Sequence, residues 1–158
     1  MVSALNGMPK IQLRLEINGS PERIWGVIID PSLAPKMIPD VISATTNQPG
    51  VVEIGSIWTL VAKIVRRKVK LVTEAIEVVP YRKLVIKIIP GKIFKSFVSQ
   101  FELEPTTNGT IVTEKVEYST DNLGGSLSAL LVNRHTKRNI IQGLSNLKEL
   151  VELQELEN

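Results

Sequence analysis

The sequence predicts a single α+β domain, an antiparallel sheet of seven strands with two short helices after the first strand and one long helix at the C-terminal end. Three observations predict it. Apolar and polar residues alternate with period two over residues 10–17 and again through most of 41–119. Two short helical signals stand between the first strand and the rest. From Gly125 to Leu156 there is no proline at all. Helices kept apart from a run of strands make an α+β domain, and 158 residues hold one domain with one sizeable core.

The elements follow in order. Ile11, Leu13, Leu15 and Ile17 face one way and Lys10, Gln12, Arg14 and Glu16 the other, a strand with one buried face. Asn18-Gly19-Ser20-Pro21-Glu22 turns the chain into a helix: Ser20 caps it, Pro21 suits its first position, and Glu22 favours the dipole. Ile24, Trp25, Val27, Ile28 and Ile29 form that helix, with Trp25 in the core between helix and sheet, and Asp30-Pro31 stops it. Residues 32–37 read as a second short helix, broken by Ile38-Pro39-Asp40.

Only strand signals follow until about residue 120. Residues 41–46 are β-branched and short, and 47–50 turn. In 56–65, Trp58, Leu60, Ala62 and Ile64 oppose Ile57, Thr59, Val61 and Lys63, and Arg66-Arg67 marks an exposed hairpin end. Residues 68–79 change phase. Val69 and Leu71 oppose Lys68 and Lys70, while Ile76 and Val78 oppose Ala75 and Glu77, so a bulge near Thr73 is expected. After the turn at 80–82 come strands 83–89 and 95–104, the latter with Phe97, Ser99, Phe101 and Leu103 on one face. Asn108-Gly109 marks a hairpin tip, and 110–119 closes the series with Val112, Val116 and Tyr118 sharing a face. Gly125 or Ser126 starts the last helix, which at about 45 Å must lie across the whole sheet.

Composition narrows the function. The chain has no cysteine, which excludes disulfides, thiolate metal sites and cysteine nucleophiles and suits a reducing interior. Residues 1–10 lack the apolar run of a secretory signal, and no segment reaches the roughly 18 apolar residues of a membrane span. A cytoplasmic location is the expectation. The net charge of +3 invites a nucleic-acid reading, but aromatics make up only 4% of the chain, too few for a stacking platform; no nucleic-acid partner is expected. No phosphate-cradling glycine loop, Ser-His-Asp order, HExxH or paired-carboxylate spacing occurs. Gly124-Gly125 before a helix would favour an anion, and a simple cap explains it as well.

The order and punctuation of these segments resemble the START-like (SRPBCC, helix-grip) superfamily over residues 10–152. Ser20-Pro21-Glu22-Arg23-Ile24-Trp25 is similar to its first helix, with Asp30-Pro31 ending it. Ile54-Gly55-Ser56 with Trp58 resembles the start of its third strand. Leu103-Glu104-Pro105 with Gly109-Thr110-Ile111-Val112-Thr113 resembles one of its hairpins, and Leu147-Lys148-Glu149-Leu150 its closing turn. The segment from Asp30-Pro31 to Ile38-Pro39-Asp40 is loosely similar to the branch associated with carbon monoxide dehydrogenase, with Asp40 where that branch has glycine. The resemblance implies a curved sheet gripping the last helix and a cavity between them. The superfamily spans lipid and sterol carriers, polyketide cyclases, quinone-binding proteins, allergen-type binders and chaperone activators.

Candidate residues follow from strand and helix phase. Trp58, Leu60, Phe97, Phe101 and Tyr118, with Met37 from the second short helix, are expected to line the cavity or, failing that, plain core. In the long helix Leu123, Leu127, Leu130 and Leu131 form one stripe that continues to Arg134 and Arg138. Ile140, Leu144, Leu147 and Val151 form a second, which run backwards reaches Lys137 and Asn133. A buried guanidinium demands a partner. Leu127 and Leu131 are therefore expected at the ligand, with Arg134 and Arg138 anchoring its polar end; the alternative is a solvated basic face. Glu74, in phase with Val72 and Ile76, and Glu114, in phase with Val112 and Val116, would have raised pKa values if inward and could act as acid or base; the alternative is that they face water. His135, the only histidine, is a weaker candidate beside the reading of an exposed helix residue. One imidazole without cysteines makes a metal site unexpected, and no cofactor is expected.

The function expected is binding or transport of a hydrophobic small molecule: a lipid, an isoprenoid quinone or a polyketide-like compound. A cyclase/dehydratase using Glu74, Glu114 or His135 in the same cavity is the first alternative. A protein-interaction module with an exposed apolar patch is the second. Membrane contact, if any, is peripheral and through the basic helix. Oligomeric state is left open.

Overall fold

The computed structural model describes residues 10–120, 123 and 127–157, with side chains as far as 154. Seven strands form one antiparallel sheet in the order β1-β7-β6-β5-β4-β3-β2. They are β1 (Lys10–Ile17), β2 (Val41–Thr46), β3 (Ile57–Ile64), β4 (Arg67–Val79), β5 (Lys83–Ile88), β6 (Ser96–Pro105) and β7 (Thr110–Ser119). β1 and β2 are neighbours in sequence yet lie at opposite edges, so the chain between them must traverse the sheet. α1 (Pro21–Ile29), a 3₁₀ turn (Pro31–Leu33) and α2 (Ala34–Met37) make that crossing. Every other strand pairs with its sequence neighbour, and α3 (Leu127–Glu157) completes the helix-grip α+β architecture.

Local chemistry explains the crossing. Ser20 Oγ accepts from the Arg23 amide at 3.3 Å and Pro21 occupies the first turn of α1. Asp30 ends α1, and its Oδ1 accepts from the Ser32 amide at 2.9 Å, so one residue stops a helix and caps the 3₁₀ turn that follows. At the far side of the α2 segment Asp40 takes a left-handed backbone, φ 67°. That conformation suits glycine better than aspartate.

The bulge in β4 falls between Ala75 and Glu77, not near Thr73. Thr73 and Ala75 are buried in phase with Leu71, and Ile76 is exposed. The sequence pattern misleads here because the inward residues are small or polar and the outward one is isoleucine. The β3–β4 turn consists of Val65 and Arg66, both left-handed (φ 46° and 69°), a two-residue hairpin made without glycine or asparagine. By contrast, Gly109 is needed for proximity: a Cβ there would stand 2.2 Å from the Ile17 carbonyl oxygen. Next to it Thr110 Oγ1 donates to the Gly19 carbonyl at 2.8 Å, joining the β6–β7 turn to the start of α1.

Two apolar clusters fill the space between sheet and helices. One unites Ile17, Ile24, Trp25, Leu103 and Val112 with Leu144, Leu147 and Val151 of α3. The other unites Val41, Ala62, Ile64, Phe94, Val116 and Tyr118 with Val132 and Ile140. The inward stripe of α3 is therefore Ala129, Val132, Thr136, Ile140, Leu144, Leu147 and Val151, all buried at helical spacing. The second stripe expected from the sequence, Ile140, Leu144, Leu147 and Val151, is inward, while its backward extension and the first stripe are corrected. The second runs back through Thr136 and Val132 and not through Lys137 and Asn133, and Leu127, Leu130 and Leu131 of the first point outward. The helix cap expected at Gly125 or Ser126, and Gly124 with it, lies outside the described residues. No described helix is long and apolar enough to cross a membrane.

Candidate functional site

A cavity of about 220 Å³ lies between the inner face of the sheet, the α2 segment and the middle of α3. Its walls are mostly apolar, supplied by Met37 and Ile38, by Trp58 and Leu60 of β3, by Ile86 of β5, and by Phe97 and Phe101 of β6. Alternation places these side chains: each belongs to the inward phase of its element. Trp58 is held by its ring N–H, which donates to the Ile29 carbonyl at 3.3 Å.

Polar groups enter in two places. On the sheet side Thr73, Ser99 and Glu114 are all buried. Thr73 Oγ1 is used, donating to the Trp58 carbonyl at 3.2 Å. Ser99 Oγ donates to Glu114 Oε2 at 3.3 Å. β6 pairs with β7 so that Phe101 stands opposite Glu114 and Ser99 opposite Val116, which sets serine and glutamate on a diagonal of one face. Burial pushes the Glu114 carboxyl up to about 7, against a smaller downward effect of the Ser99 hydrogen bond. Near neutral pH this group can therefore keep a proton, and with it donates as well as accepts.

At the other place, the rim, α3 meets the turn before β2. His135 Nε2 lies 3.0 Å from Asp40 Oδ2 and 3.2 Å from Asn139 Nδ2. Asn139 Nδ2 also donates to the Pro39 carbonyl at 3.3 Å, and Asn146 Nδ2 to the Met37 carbonyl at 3.1 Å. The two contacts of Nε2 exclude one another: carrying a proton it donates to Asp40, and without one it accepts from Asn139. α3 thus clamps the α2 segment over the cavity by side-chain amides and one imidazole.

Of the candidates, the structure brings Met37, Trp58, Leu60, Phe97, Phe101, Glu114 and His135 to the cavity wall. It does not bring Tyr118, Glu74, Leu127, Leu131, Arg134 or Arg138. Tyr118 is fully buried among Phe94 and Phe97, and its hydroxyl donates to the Asn133 carbonyl at 3.4 Å; burial raises its pKa. Glu74 pairs between Ile57 and Lys87 in the phase opposite to Thr73 and Ala75, so it faces away from the cavity. Leu127, Leu131, Arg134 and Arg138 lie on the outward side of α3 and are exposed. Ser99, Asp40 and Asn139 are wall residues that sequence reasoning did not single out. For Ser99 the signal was present, a hydroxyl between two inward phenylalanines.

The sequence matches the family model described as polyketide cyclase / dehydrase and lipid transport over residues 8–152. None of the curated protein sequences is significantly similar. Among solved structures, the Zhui aromatase/cyclase from Streptomyces sp. R1128 superposes with a TM-score of 0.76 at 12% identity, over 92% of this chain and 94% of that one. TTHA0849 from Thermus thermophilus gives 0.75 at 21% identity, over 92% and 99%. The di-domain aromatase/cyclase StfQ of the steffimycin biosynthetic pathway gives 0.74 at 15% identity over 94% of this chain, which spans only 52% of StfQ. At such identities the likeness concerns the fold. The family match, covering nearly the whole sequence, says more: this chain belongs to the polyketide cyclase/dehydrase and lipid transport family.

Proposed function

We propose that the chain binds a small, uncharged, largely apolar molecule in the cavity under α3 and seats its one oxygen against Glu114 and Ser99. The observation that carries this reading is a buried carboxyl with a serine as its hydrogen-bond partner, set among Phe97, Phe101 and Leu60 in a mostly apolar wall. Size bounds the ligand. A cavity of about 150 Å³ accepts benzene and drug-sized molecules need about 300–1,000 Å³, so 220 Å³ suits a molecule of one or two rings. Charge bounds it too. An anion beside Glu114 would meet either a second negative charge or a forced proton in a low-dielectric site. Hydrophobic small-molecule binding is also what the family's description supports.

The test is a titration of the full chain with a naphthol and with a naphthoate of the same shape, read by isothermal calorimetry. The naphthol is expected to bind at least about tenfold more tightly, and Glu114→Gln to keep naphthol binding while losing its dependence on pH. No heat from either compound, with no apolar molecule co-purifying in native mass spectrometry, would refute binding in the cavity. Equal affinity for both would refute only the role of Glu114.

A second reading is favoured by one observation. A carboxyl poised at about 7 within hydrogen-bond distance of a hydroxyl suits proton transfer at neutral pH, as a cyclase or dehydratase would use. Turnover of a poly-β-ketone substrate that vanishes in Glu114→Gln while binding persists would establish it.

A further inference from the structure

The outward face of α3 carries a motif that neither the core nor the cavity uses. Leu127, Leu131, Arg134, Arg138 and Ile141 follow one another at steps of four, three, four and three residues, which places them in one line along the helix. Leu130 and Lys137 flank that line. Leu127 is 71% exposed, Leu130 55% and Ile141 56%. Side chains this exposed add little to the core, and an apolar stripe of this kind on a surface marks a contact. The charges beside them have one sign. α3 contains no acidic residue before Glu149, and Arg134, Lys137 and Arg138 form no ion pair with any described residue. Asp40, the carboxylate that reaches α3, is taken up by His135 on the cavity side.

The surrounding loops add to the same field. α3 begins at the end of the sheet where the β3–β4 turn presents exposed Val65 between Ile64 and Arg66-Arg67, and where the β5–β6 loop presents exposed Ile89 and Lys92.

We propose that the outward face of the first half of α3, together with the β3–β4 turn, docks on the surface of an anionic lipid bilayer. Leucines entering the boundary between headgroups and acyl chains, with arginine and lysine reaching back to the phosphates, is the arrangement by which an amphipathic helix lies in a membrane interface. Nucleic acid would use the charges and leave the leucines in water. A symmetric pair of copies joined through this face would bring like charges together. The proposal does not depend on what the cavity holds.

Co-sedimentation of the full chain with phosphatidylcholine vesicles, with and without phosphatidylglycerol, tests it. Binding is expected to the anionic vesicles alone and to fall steeply with salt. Arg134→Gln with Arg138→Gln should weaken it roughly thirty-fold, and Leu127→Ser with Leu131→Ser at least about tenfold. Both double variants should melt as the parent does, since all four positions are exposed. Absent binding, equal binding to both vesicle types, or leucine variants that bind normally would each overturn the proposal. So would leucine-dependent self-association in light scattering without vesicle binding, or retention of a DNA duplex that the leucine variants leave unchanged.

Discussion

The two halves of α3 are built from similar residues and do opposite things. In the second half Leu144, Leu147 and Val151 point inward and close one core with α1, while Lys148 Nζ donates to the Glu16 carbonyl at 2.9 Å and Arg23 to the Val151 carbonyl at 3.2 Å. In the first half the inward positions are Ala129, Val132 and Thr136, and the leucines stand outside. Large apolar side chains inward make a packed region; toward the middle of the rod polar groups enter, and the cavity lies under His135, Thr136, Asn139 and Ile140. A helix can therefore serve as wall and as roof along a single rod.

The contrast breaks most easily in the packed half. Leu147→Ala, at a site 1% exposed, is expected to destabilise by about 2–5 kcal/mol in denaturant unfolding, because it removes buried methyls and leaves a hole the sheet cannot fill. Next in size is Glu114→Gln. A carboxyl at about 7 in the folded chain and 4.5 in the unfolded one keeps its proton longer when folded. Its contribution is whole below pH 4.5, is lost as pH rises through 7, and leaves a deficit of about 3 kcal/mol at higher pH. Stability measured against pH should show that fall in the parent and lose it in the variant, which gains up to that amount at pH 8 and nothing at pH 4.

Smaller effects sharpen the comparison at the cavity end. Val65→Asn with Arg66→Gly replaces two residues forced into left-handed backbone by the pair that hairpin turns prefer. A gain of about 1–2 kcal/mol in the same unfolding measurement is expected. Least of all, Leu131→Ala in the outward line should change stability by no more than about 0.5 kcal/mol, against the large loss at Leu147. A loss at Leu131 as large as that at Leu147 would mean the two halves pack alike.

Much of the fold was legible. Residues 10–17, 41–46 and 110–119 are strands with the expected bounds, since strict alternation there is enforced by one wet and one dry face. The walls followed from the same signal: Trp58, Leu60, Phe97 and Phe101 are inward because their strands alternate. The partnership of Ser99 with Glu114 was not legible, because it depends on the register between β6 and β7. Neither was the clamp of His135, Asn139 and Asp40, which joins residues about a hundred positions apart.

Local periodicity by itself determined where strands and helices lie and that α3 has more than one apolar stripe, because both are properties of the chain's own repeat. Which stripe turns inward was decided only when the rod met the sheet. The choice that buries Ala129, Val132 and Thr136 sets Thr136 on the pocket, and it leaves Leu127 and Leu131 to the surface. That docking also decides that Glu114 is dry, and dryness gives a carboxyl in the middle of a strand its chemistry.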